Sequence, residues 1–230
     1  MQHVTLLDRR AFLTAGAAVL IAACTKKAAS PPAVTTADGL PVGTIQSSHG
    51  AITSVGMVGD SITEGSLAAL QAGFTAAGVD DVHIDGKPSR RIEVGNGKGD
   101  GPLSGIRTLY NMLAEGVSPS AWVIELGTND VGSYSTADEY GALIDQIIAM
   151  VPNKPLVWVN TYRRQYLEAT VVFNTVLAER MQARGNAAVA DWFTVASAPD
   201  QTVLLDDHLH PNDNGQLALS LLIVQALRTL

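Results

Sequence analysis

From residue 51 onward, short runs rich in β-branched and aromatic residues alternate with longer stretches whose apolar residues recur every three to four positions. This alternation restricts the fold more than any other feature of the chain. Strands that alternate with helices pair in parallel, and each pairing needs a crossover. The strand runs are ITSVGMV, VDDVHID, AWVIEL, PLVWVN and AAVADW, and helices are expected near 66–77, 103–115, 137–150, 166–184 and 213–229. Near-continuous apolar strands are what a sheet covered on both faces requires. The expected fold is therefore a three-layer α/β/α, flavodoxin-like arrangement, with a parallel sheet of about five strands and helices on both faces. In the last helix Leu217, Leu221, Val224 and Leu227 keep the i, i+3, i+4 spacing and are expected to face the core. Neither an internal repeat nor a second domain is visible.

The first 50 residues do not follow that rhythm. A twin arginine (Arg9, Arg10) precedes a charge-free stretch from Ala11 to Ala23, which ends at Ile21-Ala22-Ala23-Cys24. This is the order of a secretory signal, and the apolar part is too short for a spanning helix of ~20 residues. It resembles a twin-arginine lipoprotein signal, with residues 1–23 removed and Cys24 diacylated as the new N-terminus. Cys24 is the single cysteine of the chain, so no internal disulfide can form. Loss of Asp8, Arg9 and Arg10 would take the net charge from −7 to −8. Residues 24–50, rich in Pro, Ala, Thr and Ser, read as a tether spanning on the order of 30 Å as a flexible coil. The expected location is the outer face of the cytoplasmic membrane or the cell envelope, with the folded domain at 51–230.

The negative charge, with no basic run longer than two residues, argues against nucleic acid as a partner. Sites in open parallel sheets form at the carboxyl ends of strands, and three polar segments end strands there. These are GDSIT at 59–63, DGKPSRR at 85–91 and GTND at 127–130. Ser61 opens a helix, where it could act as a cap or face a phosphate, but Asp60 and Glu64 would repel a phosphate at close range. A flavodoxin-like nucleotide site is disfavoured on that ground.

A serine becomes a nucleophile when an imidazole takes its proton and a carboxylate fixes the imidazole tautomer. LLDDHLHPNDNG supplies both, with Asp207 and His210 at D-x-x-H spacing before the last helix. Asp206 and His208 fall outside that register and are assigned structural or rim roles. Asn129 ends a strand with an amide that could donate to a developing oxyanion, although an Asx turn is the simpler role for such a residue. His208, His210, Asp206 and Asp207 have no partner cluster elsewhere in the sequence, so no metal and no cofactor is expected.

GDSIT, GTND and DHLHP resemble the first, third and fifth sequence blocks of the GDSL/SGNH hydrolase family, in the family's order, and the likeness extends over roughly 51–230. It implies Ser61 as nucleophile, His210 as base and Asp207 as the orienting carboxylate, with the Ser61 backbone N–H and Asn129 as oxyanion donors. The second block departs from the family pattern, where a glycine N–H usually completes the oxyanion hole. Here Ser89 stands in that place, with Gly86 as the other candidate. A backbone N–H needs no particular side chain, so Ser89 can donate if its φ and ψ allow it.

Lys87, Arg90 and Arg91, with Arg163 and Arg164, fall near the rim, either as solvated charge or as contacts for a substrate carboxylate or sugar hydroxyl. Trp122 and Trp158 lie inside apolar strands and are expected in the core, while Trp192 could serve either core or site. An apolar acyl groove could lie between 97–105 and 195–205.

The expected activity is that of an exported, monomeric, lipid-anchored serine esterase acting on small-molecule or glycan O-acyl esters through an acyl-enzyme. GKPSRRI and WVIELGTND are similar to the extracytoplasmic SGNH domains of sugar O-acyltransferases, so acyl transfer to or from envelope glycans is the alternative. The membrane acyl-donor domain of those proteins is not in this sequence, and this favours hydrolysis. A non-catalytic, envelope-binding lipoprotein is the reading from another class, and it would predict loss of a catalytic position. Ser61, Asn129, Asp207 and His210 are all present.

Overall fold

The apolar runs assemble into one five-stranded parallel sheet, described here from a computed structural model covering residues 43–48, 50–95, 102–200 and 202–230. Its strands are β3 (Ser54–Gly59), β4 (Asp81–Gly86), β5 (Ala121–Glu125), β6 (Leu156–Val159) and β7 (Ala187–Ala190), in spatial order β4-β3-β5-β6-β7. The order reverses at β3, between β4 and β5, and ligands bind at such a switch point above the carboxyl ends of the strands.

Period-2 alternation along each strand divides the core between the two faces of the sheet. Val55, Met57, Val123 and Val157 pack on one face with Leu70 and Phe74 of α2 (Leu67–Ala76) and Leu219, Ile223 and Val224 of α7 (Asp213–Leu227). Val58, Trp122, Ile124 and Trp158 pack on the other with Leu109 of α3 (Gly105–Ala114), Ile144 and Ile147 of α4 (Ala137–Met150), and Phe173 and Leu177 of α5 (Leu167–Arg184). This is the three-layer α/β/α arrangement expected from the sequence. Local chemistry fixes the helix starts. Ser104 caps α3, Asn212 caps α7, and Thr136 with Glu139 forms a reciprocal capping box on α4. Two five-residue helices, α1 (Ser61–Gly65) and α6 (Trp192–Ala196), are too short to leave a periodic signal.

Two expectations need correction. The folded part begins before residue 51. Strand β1 (Ile45–Ser47) pairs antiparallel with β2 (Gly50–Ile52), Ile45 and Ile52 are fully buried, and the Ser48 N–H donates to the Leu230 carbonyl at 2.6 Å. The core-facing stripe of α7 is Leu219, Ile223, Val224 and Leu227, while Leu217 and Leu221 are half-buried. The helix is apolar almost all round, so several registers satisfy the same spacing. Of the two places left open for Trp192, core or site, it takes the core, at 1% exposure. Cys24, residues 1–23 and the tether up to residue 42 lie outside the described residues, as do positions 97–101 and 201 of the suggested acyl groove. Among the described residues no helix is long and apolar enough to cross a membrane.

Candidate active site

At the carboxyl edge, Gly59 of β3 lies opposite Gly86 of β4. A Cβ on Gly59 would run into the Thr63 side chain, and one on Gly86 would come within 2.6 Å of the Glu64 backbone nitrogen. The missing side chains let α1 sit directly on the strand ends, which places Ser61 above the switch point. Asp60 caps that helix, its Oδ1 accepting from the Ile62 N–H at 2.8 Å. Among the described residues the Ser61 N–H has no acceptor, as expected for the first turn of a helix.

His210 approaches from the loop before α7. Its Nε2 lies 2.9 Å from Ser61 Oγ, and its Nδ1 lies 2.6 Å from Asp207 Oδ2. Asp207 Oδ1 also accepts the Leu209 and His210 backbone N–H groups, each at 3.0 Å. Burial pushes the Asp207 carboxyl up, but the hydrogen bonds from the His210 ring and these two N–H groups outweigh it and hold the carboxyl below the usual range. The carboxylate thus accepts from Nδ1–H, which leaves the Nε2 lone pair facing the serine hydroxyl.

Asn212 ties this loop down. Its Nδ2 donates to the Thr202 and Leu204 carbonyls, its Oδ1 accepts from the Gly215 N–H, and its own N–H donates to the Val203 carbonyl. Sequence reasoning did not single out Asn212, although an Asn immediately after Pro and before a helix is a capping signal. Asp206 and His208 are exposed and take no part in the Ser61–His210–Asp207 series.

Asn129 is tied to Asp60, the residue before Ser61. Its Nδ2 donates to Asp60 Oδ2 at 2.9 Å and to the Arg90 carbonyl at 3.1 Å, so both amide hydrogens already have acceptors. Ser89 has φ +60°, in the left-handed region where glycine is favoured, and its N–H makes no hydrogen bond among the described residues. Gly86 is the last residue of β4, so the turn that follows carries Ser89, not Gly86, away from the ladder.

Two buried carboxyl groups lie beneath the serine, and the sequence reading gave neither a supporting role. Glu125 Oε2 accepts from the Asp60 N–H, the Thr63 N–H and the Thr63 hydroxyl. Burial pushes Asp60 up to about 6, and burial together with the Asp60 charge pushes Glu125 well above the usual range. Glu125 could have been noticed as a charged residue at the end of an otherwise apolar strand.

Arg90, Arg91 and Arg163 all have partners within the protein. Arg90, expected to contact substrate, is 2% exposed, and its guanidinium is enclosed by backbone carbonyls and Asp85. Nothing in a sequence marks an arginine whose acceptors are main-chain oxygens. Arg91 is half-buried, 3.5 Å from Asp130 and over the Tyr134 ring. Arg163 donates to the Thr128 carbonyl at 2.7 Å and covers the Tyr166 ring, while Arg164 is exposed. A polar cleft of about 350 Å³ adjoins α1, lined by Glu64, Asp85, Gly86 and Lys87 among others. Among the described residues no group of three or more His, Cys, Asp or Glu could hold a metal ion.

Asp130 makes a prediction of its own. It is fully buried and accepts from the Ile92 N–H, and burial pushes its carboxyl from 3.8 up to about 7. A carboxyl that holds its proton more tightly folded than unfolded stabilises the fold at acid pH, and this contribution is lost as pH rises through the folded value. The loss is on the order of a few kcal/mol. Asp130→Asn should therefore flatten the fall in Tm between about pH 4 and 7, the interval between the unfolded and folded values, measured by thermal unfolding. An unchanged slope would remove Asp130 from the account.

Solved structures share this fold. The C-terminal catalytic domain of peptidoglycan O-acetyltransferase A from Streptococcus pneumoniae superposes with a TM-score of 0.59 at 19% identity, covering 77% of this chain and 93% of that one. A lipase/acylhydrolase from Enterococcus faecalis gives 0.61 at 21% identity, over 77% and 96%. The family 3 carbohydrate esterase of Clostridium thermocellum gives 0.56 at 21%, over 76% and 98%. No curated protein matches the chain by sequence. Residues 57–218, which run from β3 into α7, match the GDSL-like Lipase/Acylhydrolase family. That match covers well over half of the chain, which thus belongs to the GDSL-like lipase/acylhydrolase family and is a serine hydrolase.

Proposed function

We propose that the protein is an exported esterase that removes short O-acyl groups from small-molecule or glycan esters. The observation that carries this reading is the continuous series Asp207 Oδ2, His210 Nδ1, His210 Nε2 and Ser61 Oγ, with separations of 2.6 and 2.9 Å. Ser61 Oγ attacks the ester carbonyl as its proton passes to His210 Nε2. The carbonyl oxygen becomes an oxyanion held by the Ser61 and Ser89 N–H groups and by Asn129, which turns one amide hydrogen from its present acceptor. The C–O bond to the alcohol then breaks, and His210 returns the proton to the leaving oxygen. Water repeats the sequence on the acyl-Ser61 and regenerates the enzyme.

The polar cleft beside α1 supports an alcohol portion rich in hydroxyls, since Glu64, Asp85 and Lys87 offer both acceptors and donors. The same cleft could seat a sugar acceptor in place of water, which supports the transfer reading; one of the fold neighbours is an O-acetyltransferase domain. The signal-like Arg9-Arg10 and Cys24 support export and lipid anchoring to the outer face of the cytoplasmic membrane or the cell envelope.

Purified protein assayed with p-nitrophenyl acetate and butyrate should turn over the acetate faster, and added acceptor sugars should leave acyl-sugar product undetected. Acylated sugar exceeding free acid would favour transfer. No turnover of any ester would favour the non-catalytic reading. In cells, Cys24→Ala should move the protein from the membrane to the soluble fraction, and unchanged membrane retention would contradict the anchor.

A further inference from the structure

The geometry points to Arg90 as the positioning residue that holds the oxyanion hole in shape, an inference that rests on the esterase reading above. Its side chain is 2% exposed and satisfies four acceptors from three segments of chain. Nε donates to the Leu103 carbonyl at 3.1 Å, Nη1 to the Gly59 carbonyl at 2.9 Å and to the Asp85 carbonyl at 2.6 Å, and Nη2 to Asp85 Oδ1 at 2.9 Å. Only a planar guanidinium reaches so many acceptors in fixed directions.

Each of the three proposed oxyanion donors is linked to this residue. Gly59, whose carbonyl Arg90 holds, is two residues before Ser61 and sets where the Ser61 N–H points. Ser89 is the neighbour of Arg90, and its φ of +60° is a conformation that a residue with a Cβ adopts at a cost. The buried guanidinium on one side, and the Arg90 N–H bonded to the Lys87 carbonyl, keep the turn from relaxing. Asn129 is oriented by the Arg90 carbonyl at 3.1 Å. None of these bonds touches the Ser61–His210–Asp207 series. Loss of the guanidinium should therefore weaken oxyanion binding and leave the proton relay intact.

The test measures kcat per active site, counted by fluorophosphonate labelling, so that loss of folded protein is not read as loss of catalysis. Arg90→Ala would remove the guanidinium donors from the Leu103 and Asp85 carbonyls and the Asp85 carboxylate, leave the buried Gly59 carbonyl with the Lys87 N–H alone, and could fail to fold. Arg90→Lys and Arg90→Gln are therefore the variants measured. In Arg90→Lys, kcat should fall roughly 10- to 100-fold, less than the ~10²–10³ of deleting a donor, with KM within about twofold. The Ki of an alkyl boronic acid, which forms a tetrahedral anion on Ser61, should rise in parallel, and the pH profile of kcat/KM should not move. Because glycine accepts positive φ freely, Ser89→Gly placed in the Arg90→Lys background should recover kcat several-fold.

A kcat per site within twofold of wild type, or unchanged boronate affinity, in both Arg90 variants overturns the inference. So does a loss confined to KM, or failure of both variants to yield any labelled enzyme, which would make the role one of folding alone. If wild-type protein turns over no ester, the esterase reading fails first, and the two failures are told apart.

Discussion

Ser61→Ala and His210→Ala are each expected to lower kcat for p-nitrophenyl acetate by about 10⁴-fold or more, and the double variant to be worse than either by less than about tenfold. The reason is geometric. His210 Nε2, 2.9 Å from Ser61 Oγ, has no catalytic use without that hydroxyl, and the hydroxyl is a weak nucleophile without the ring. Groups that act as one unit fail together, so their free-energy losses do not add. Residual activity in all three variants should come from the oxyanion donors alone. Losses that multiply in the double variant would mean that the two side chains act separately and that the short contact between them is incidental.

Asn129→Ala is expected to lower kcat by roughly 10²–10³-fold with a small change in KM, the effect of removing one preorganised donor from an oxyanion hole. Asp60 Oδ2 at 2.9 Å and the Arg90 carbonyl at 3.1 Å keep the Asn129 amide beside Ser61, and one of its hydrogens leaves its acceptor for the oxyanion as charge develops. Asn129→Asp keeps the shape but places a carboxyl against Asp60, which is already pushed up to about 6 by burial. That variant should lose at least as much activity as the alanine and regain part of it at acid pH, where the new carboxyl is protonated. Equal activity of wild type and Asn129→Ala, measured by steady-state kinetics, would make the amide a structural Asx contact and leave the oxyanion to the two backbone N–H groups.

The sheet was legible because its central strands are buried on both faces and so are nearly continuous apolar runs, while the edge strand β4 alternates. AWVI and LVWV stand out as short unbroken apolar runs between longer segments whose polar residues recur at helical spacing. The hairpin was not legible, since Ile45 is an isolated apolar residue among polar and small ones, and its place in the core shows only once β1 pairs with β2 and Ser48 bonds the Leu230 carbonyl. In the site, Ser61, His210 and Asp207 could be paired from chemistry and spacing, because each needs the others to do anything. Arg90 illustrates the opposite case. Read as a rim cation, it proves to be a buried clamp whose acceptors are main-chain carbonyls from β3, β4 and the segment before α3, a set that no sequence pattern encodes. Ser89 lies between these two cases. Its place in the second block was readable, but its left-handed backbone, which frees the N–H that a glycine would otherwise present, could only be seen in three dimensions.

The most direct test of a serine nucleophile served by His210 is covalent capture. Purified protein treated with a fluorophosphonate and analysed by intact mass and peptide mapping should carry one adduct per chain, on Ser61. Labelling should be absent in Ser61→Ala and slowed by orders of magnitude in His210→Ala. No adduct on the wild-type chain, or an adduct of the same extent on Ser61→Ala, would contradict the account.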